Sequence, residues 1–235
     1  MAVDDSYSKI LLHLNGADAS TTFTDEAGGT WTRSVSSMAL DDAQKKFGSA
    51  SLLLGGNANE YLTLTDGLTA DLDPGSGDFT IDFQMRFSAL PQWGAEAFFP
   101  FNLYRATTDR IDLSLYEYGE DSNTYYFGLH IHANGVNLST TYFGQTTPFS
   151  LSVDTWYHVE ICRTGTSYML FLEGTPIDSP VDLGAHTFVL NTGGFVRLFQ
   201  SNVAAWADEF RYSVGIARHT SSFLSPTEEY TPPPP

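Results

Sequence analysis

One stretch constrains the fold more than any other: Asp154–Gly174, DTWYHVEICRTGTSYMLFLEG. It holds two β-prone runs, Trp156–Arg163 and Tyr168–Leu172, separated by Thr164-Gly165-Thr166. Aromatic and β-branched residues suit a pleated, half-buried surface, and a short Gly-containing break between two such runs signals a hairpin. Period two places Tyr157, Val159 and Ile161 on one face and Trp156, His158 and Glu160 on the other. A lone hairpin is marginal in water, so this one is expected inside a larger sheet.

The rest of the chain repeats the pattern. Phe79–Phe87 is the cleanest strand, and Ser8–Leu14, Thr30–Val35, Phe47–Leu54 and Tyr61–Thr65 precede it as shorter pieces. Phe98–Tyr104, Arg110–Tyr118, Tyr125–Ala133 and Val136–Phe143 follow, the last two joined across Asn134-Gly135, a strong hairpin dipeptide. After the Asp154–Gly174 hairpin come Phe188–Asn191, Phe195–Gln200 and Trp206–Ser213. Met38–Lys46 reads as a loop, Asp71–Asp78 as a turn cluster and Gly215–Thr220 as a single helical turn. No window sustains helical periodicity and no fixed repeat stands out. Many short strands with frequent turns predict an all-β, antiparallel β-sandwich of jelly-roll type. It is expected as a single domain over 1–230, with the prolines of 231–235 as the end of a linker.

Composition narrows the partners. With 28 acidic against 11 basic residues the net charge is −17, a field that repels phosphate backbones and anionic lipid. It favours cations, calcium foremost, although the same charge also serves solubility. Cys162 is the only cysteine, which excludes a disulfide framework or thiolate cluster and reads as a small strand residue. Met1–Ser8 carries Asp4 and Asp5 and no long apolar run follows, so no cleaved secretion signal is expected. No stretch reaches the roughly 20 apolar residues of a membrane span.

Alternation assigns faces. Phe79, Ile81, Phe83, Met85 and Phe87 form a core set, leaving Thr80, Asp82, Gln84 and Arg86 opposite. Ile111, Leu113 and Leu115 leave Asp112, Ser114, Tyr116 and Tyr118, and Phe127, Leu129 and Ile131 leave Tyr126, Gly128, His130 and His132. Val136, Leu138 and Thr140 leave Asn137, Ser139 and Thr141. If these strands share one sheet, its outer face mixes aromatic rings with short polar groups. That suits a sugar, whose C–H face stacks on a ring while its hydroxyls take directional hydrogen bonds. It also describes the ordinary solvated face of an antiparallel sheet. The ligand-binding candidates are therefore Gln84, Arg86, Asp112, Tyr116, Tyr118, Tyr126, His130 and Asn137. Asp208 is in phase with Trp206, Phe210 and Tyr212, which predicts an inward carboxylate needing a salt bridge, hydrogen bonds or a bound Ca²⁺. His130 and His132 lack a third zinc ligand at diagnostic spacing. Residues 71–82 lack the glycine and glutamate of an EF-hand loop. Asn137-Leu138-Ser139 is a glycosylation sequon, of consequence only in a eukaryotic secretory setting.

Five blocks in order carry a family resemblance: LLHLNGADASTTFTDEAG (11–28), KFGSASLLLGG (46–56), GSGDFTIDFQMRF (75–87), WYHVEICRTGTSYMLFLEG (156–174) and WADEFRYSVGIARHTSSFLSPTEEYT (206–231). Together they resemble the laminin-G-like branch of the concanavalin A-like lectin/glucanase superfamily, in the versions carried by phage and bacterial surface proteins. The resemblance implies the sandwich, sugar binding on its concave sheet and an extracellular or virion-surface location. It also implies structural calcium where the last strand meets the end of the first and a glycine loop, with Asn15 and the Gly48 carbonyl joining Asp208 as metal ligands. The superfamily's glucanases carry alternating acids on one strand. The nearest stretch here is Tyr116–Asp121, where Glu117 is out of phase with the polar face and Glu120 and Asp121 fall in a turn. The expectation is a non-catalytic, lectin-like module of a larger phage virion or bacterial surface protein, its partner a glycan or cell-surface polysaccharide. A structural or decoration module with no sugar site is the alternative, and a glycoside hydrolase comes third.

Overall fold

The computed structural model describes residues 5–57, 59–67, 69–94, 98–106, 109–120, 122–190 and 193–233. The chain forms β1 (Ser8–Leu12), β2 (Trp31–Arg33), β3 (Ala39–Asp41), β4 (Ser51–Gly55) and β5 (Glu60–Leu64). Then come β6 (Phe79–Phe87), β7 (Phe98–Ala106), β8 (Asp109–Glu117), β9 (Thr124–Ala133) and β10 (Val136–Phe143). The last are β11 (Phe149–Ser150), β12 (Trp156–Thr164), β13 (Ser167–Leu172), β14 (Thr175–Asp182), β15 (Phe195–Ser201) and β16 (Ala204–Val214). Among the described residues these make two antiparallel sheets of eight strands each. Sheet I runs β14-β13-β12-β6-β16-β4-β3, with β1 also on β16, and sheet II runs β10-β9-β8-β7-β15-β5-β2, with β11 on β9.

The inward faces follow the alternation. Phe79, Ile81, Phe83, Met85 and Phe87 on β6 and Ile111, Leu113, Leu115, Phe127, Leu129 and Ile131 on β8 and β9 are all fully buried. Aromatic pairs zip the layers together: Phe83 meets Phe199 at 6.1 Å, Phe101 meets Phe210 at 5.8 Å and Phe87 meets Phe98 at 5.1 Å between ring centroids. Such pairs contribute ~0.5–1.5 kcal/mol each beyond the area they bury. Both expected hairpins form. Thr164 pairs with Ser167 around Gly165 at φ +59°, and Asn134 (φ 52°) and Gly135 (φ 78°) supply the two positive angles a type I′ turn requires.

The departures have local causes. β3 lies where a loop was expected, because Leu40 is core and its neighbours pair with β4. β14 has no period-two signal because six of its eight residues are exposed and it contains two prolines. Phe188 and Leu190 are core without being a strand: Phe188 N–H donates to the Gly75 carbonyl at 2.9 Å and Leu190 N–H to Asp73 Oδ2 at 2.8 Å. Asn191, and Pro234 and Pro235 of the expected linker, lie outside the described residues.

Gly215–Thr220 forms no helical turn. Thr80 Oγ1 donates to the Ile216 carbonyl at 3.0 Å and accepts the Arg218 N–H at 2.9 Å, holding that stretch extended against sheet I. From there the chain crosses the outer face of sheet I. Ala217 and Phe223 pack on Cys162, Met169 and Phe171. His219 Nδ1 lies 2.8 Å from Glu160 Oε2, His158 Nε2 shares a 3.1 Å hydrogen bond with the Tyr230 hydroxyl, and Arg211 lies over the Tyr230 ring at 3.8 Å. Gly174, at φ +69°, is what permits the approach: a side chain there would run into the Phe223 carbonyl. The segment thereby covers much of this side of the sandwich, leaving a pocket of about 480 Å³ bordered by His158, Glu160, Arg211 and His219.

Candidate functional site

The candidate ligand residues divide between opposite sides of the molecule. Gln84 and Arg86 lie on β6 in sheet I, whereas Asp112, Tyr116, Tyr118, Tyr126, His130 and Asn137 belong to β8, β9, β10 and the turn after β8, in sheet II. The expectation of one shared sheet is corrected here, since period two reports a face but never which sheet a strand joins. Gln84 is fully buried, and Arg86 pairs with Asp154 at 2.8 Å and lies over the Trp206 ring at 4.8 Å.

The outer face of sheet II keeps the remaining six. Tyr116 and Tyr126 are direct cross-strand partners with rings stacked at 5.3 Å. Tyr118 meets Tyr126 edge-on at 6.2 Å, and Tyr142 does so at 5.4 Å. Three rings thus gather around Tyr126, with Tyr118 and Tyr142 exposed. Gly128 makes room for them, because a Cβ there would stand 2.9 Å from Tyr116 Cε2. Tyr142 escaped the alternation because the β9–β10 register shifts between Asn137 and Ser139. Beyond that bulge the phase inverts, so Thr141, expected outward, is buried opposite Leu129 while Tyr142 faces out opposite Gly128.

Next to the rings runs a polar row set by register: Arg197 on β15 pairs with Asn102 on β7, Asn102 with Asp112 on β8, and Asp112 with His130 on β9. Asp112 is 7% exposed, and its Oδ2 lies 3.1 Å from Arg110 Nε. Burial outweighs that attraction and pushes its carboxyl up to about 7. Arg110 also reaches His132 Nε2 at 3.0 Å. Burial, then Arg110 and His132, hold His130 below the usual imidazole range. Asp112 Oδ1 and Asn102 Oδ1 are shut from solvent with no hydrogen-bond partner. Asn102, Arg110 and Arg197 were not singled out from sequence. Asn102 and Arg197 sit among ordinary strand residues, and only the strand order reveals that they extend the Asp112 row.

At one end of the sandwich, Asp208, Asn15 and Gly48 come near one another. Asp208 is fully buried, but β16 carries a register shift between Asp208 and Arg211. Ala205 and Ala207 before it, and Phe210 and Tyr212 after it, are the core residues, so Asp208 shares no face with Phe210. Its Oδ2 accepts the Lys46 and Phe47 N–H groups at 2.8 and 3.1 Å, and Oδ1 accepts Glu209 N–H at 2.9 Å. Those amides compensate the carboxylate, and burial pushes it up to about 8. The residues that converge beside Gly48 are Asn15 and Glu229, with Asn15 Nδ2 2.5 Å from Glu229 Oε1. Ligand atoms of His13, Glu209 and Glu229 lie within 4.8 Å of one another. The carboxylate oxygens of Glu209 and Glu229 fit a hard cation, and His13, 2.8 Å from Glu209 Oε1, orients the first of them, whereas Asn15 turns Nδ2 to Glu229 and its Oδ1 accepts the Ser49 N–H at 2.5 Å.

The carboxylates weighed for hydrolysis are engaged elsewhere. Asp82 is fully buried, 3.1 Å from Arg211, beneath the segment that crosses sheet I. Glu117 accepts the Trp93 N–H at 2.5 Å and the Asn123 N–H at 3.2 Å. With Glu120 and the exposed Trp93 it borders a cleft of about 430 Å³. Asp121 lies outside the described residues. Cys162 is buried, its thiol donating to the His219 carbonyl at 2.9 Å, and burial raises its pKa strongly. No helix among the described residues is long and apolar enough to cross a membrane.

Neither a protein-family model nor a curated protein matches the chain by sequence. Solved structures do match by shape. One is domain 4 of AbnA, a GH43 extracellular arabinanase from Geobacillus stearothermophilus, in complex with arabinotriose. It has TM-score 0.54 and 18% identity, over 90% of this chain and 94% of that one. The binding domain of botulinum neurotoxin DC in complex with SialylT matches with TM-score 0.57 and 15% identity, over 91% of this chain and 49% of that one. A Trypanosoma rangeli sialidase in complex with sialic acid matches with TM-score 0.56 and 10% identity, over 92% of this chain and 32% of that one. The chain spans about half of the toxin domain and a third of the sialidase. What it shares with all three is the fold, an antiparallel β-sandwich.

Proposed function

We propose that this chain is a non-catalytic glycan-binding module of a larger surface or virion protein, and that the sugar lies on the outer face of sheet II. The observation that carries the reading is the contrast between the two faces. Sheet I is crossed by residues 216–231 of its own chain, while sheet II presents a cluster of four tyrosines centred on Tyr126; buried unpartnered polar atoms occur on both sheets, but those of the Asp112 row share a face with the exposed Tyr118 and Tyr142. Buried polar groups are normally satisfied, so acceptors left open beside exposed rings favour a ligand that brings hydroxyl donors and a stacking face. The structural neighbours solved with arabinotriose, SialylT and sialic acid support the same class of ligand. Catalysis is left out because Asp82, Glu160 and Glu117 are buried and already engaged. Structural calcium belongs to the proposal with Glu209 and Glu229 as its carboxylate donors in place of Asp208, and with Asn15, beside Gly48, joining them once its amide turns its oxygen from Ser49.

A glycan array probed with and without a chelator tests the module directly. Binding that Tyr126→Ala abolishes supports the reading. Absence of any hit leaves the rigid structural block as the better account. Retained binding in Tyr126→Ala that disappears in Trp93→Ala moves the site to the end cleft.

A further inference from the structure

Eight arginines are present, and seven have an oxygen partner. Arg197 is the exception among the described residues. Its guanidinium lies between the rings of Tyr61 and Phe195, 4.1 Å from each centroid, and its Nε is shut from solvent without a partner. The rings hold the planar fork in one orientation and offset part of its desolvation by cation–π attraction, but they accept no hydrogen bond in its plane. Register places this fork beside Asn102, and Asn102 beside Asp112, whose unpartnered Oδ1 atoms are both buried. Strand spacing sets the three positions roughly 10 Å apart end to end, across the same face as the tyrosines.

Resting on the glycan-binding reading, we propose that the sugar bound here is acidic: Arg197 takes a carboxylate of a uronic or sialic acid, and Asn102 and Asp112 accept hydroxyls from the same oligosaccharide. A planar carboxylate accepts two parallel N–H bonds from a guanidinium, the geometry in which arginine binds most strongly. The chain's −17 net charge opposes anions at long range, but a Debye length of about 8 Å at physiological ionic strength screens most of that field. Within the row, Arg110 and Arg197 stand against Asp112 alone, two positive charges to one negative.

The test sorts array hits on the full chain by charge, then titrates the tightest hit and its carboxyl-reduced form. Hits confined to glycans bearing uronic or sialic acid, with a tenfold or greater loss on carboxyl reduction, are expected. Arg197→Gln should reproduce that loss and Arg197→Lys should give a smaller one. Carboxyl reduction leaves the protein untouched, so it decides the matter even if Arg197→Gln unfolds. Neutral hits of equal strength, or sulfated hits that ignore Arg197, overturn acidic-sugar recognition while glycan binding stands. No hits of either kind overturn both.

Discussion

Tyr126 and Asp112 concentrate what single residues decide. Tyr126 touches three other rings and lies outside the core, so Tyr126→Ala should leave the melting temperature nearly unchanged. Loss of a stacked ring should weaken sugar binding by about 1 kcal/mol or more, roughly fivefold in Kd by titration. Asp112 adds a pH signature. Its pKa is raised to about 7 by burial, so it is largely ionised at pH 8 and largely protonated at pH 6. An acidic sugar meets less repulsion in the protonated state. The other groups facing Asp112 are the Arg110 guanidinium and the His130 and His132 imidazoles, none of which can take on negative charge. All of them act in one direction. Affinity for an acidic glycan should therefore rise from pH 8 to pH 6 and flatten in Asp112→Asn; a profile rising with pH would refute the assignment. For stability the sign is opposite to that of an ordinary ion-paired carboxylate: the raised pKa favours the fold at low pH, and that contribution fades as pH climbs from about 4 through about 7. Tyr116, Tyr126 and Asp112 were legible from alternation alone. Tyr142 was not, because a bulge inverts the phase, and Arg197 was not, because its meaning lies in what it lacks.

At the scale of elements, strand identity was readable and strand neighbourhood was not. β6, β8, β9, β12 and β13 emerged from period-two patterning almost to their ends, since each has one face in the core. Nothing in Phe79–Phe87 says that its partners are β12 and β16 and not β8, so Gln84 was grouped with residues on the far side of the sandwich. The covering segment was equally hidden. Residues 216–231 have no regular period, and their role shows only in Thr80, Glu160 and Cys162 beneath them. Gly174 tests that role. Gly174→Ala places a methyl against the Phe223 carbonyl at a left-handed backbone angle, costing on the order of 1–2 kcal/mol from conformation alone. The variant should melt several degrees lower, and Cys162, now protected by His219 and Phe223, should begin to react with a thiol reagent. An unreactive Cys162 in a destabilised Gly174→Ala would mean the segment stays seated and the strain is absorbed elsewhere.

For the molecule as a whole, the two faces divide the labour between integrity and recognition. Asp82 and Glu160 are cross-strand partners, among the described residues the one register pair of sheet I made of two carboxylates, yet both are buried beneath the covering segment. Reducing-end release from polysaccharides should accordingly be absent, and any release that Asp82→Asn abolishes would reopen the enzyme reading. The same covering segment links integrity to metal. Glu229 and Tyr230 lie at its far end, Glu229 against Asn15 and the Tyr230 N–H donating to Glu209 Oε2 at 2.9 Å. A calcium ion held by Asn15, Glu209 and Glu229 would join the end of the first strand, the last strand and the covering segment. A ligand that binds only the native state stabilises it by about 2.7 kcal/mol at a hundredfold excess over Kd. For a chain of this size each kcal/mol moves the midpoint by roughly 2–4 °C, so saturating calcium should raise melting by several degrees and a calcium-selective chelator should reverse it. Glu229→Gln should erase that increment. Asp208→Asn should lower melting in both conditions yet keep the increment, because its carboxylate answers to the Lys46, Phe47 and Glu209 amides and not to the ion. Melting curves that superimpose with calcium and with chelator would leave those three side chains as a hydrogen-bonded clasp without metal.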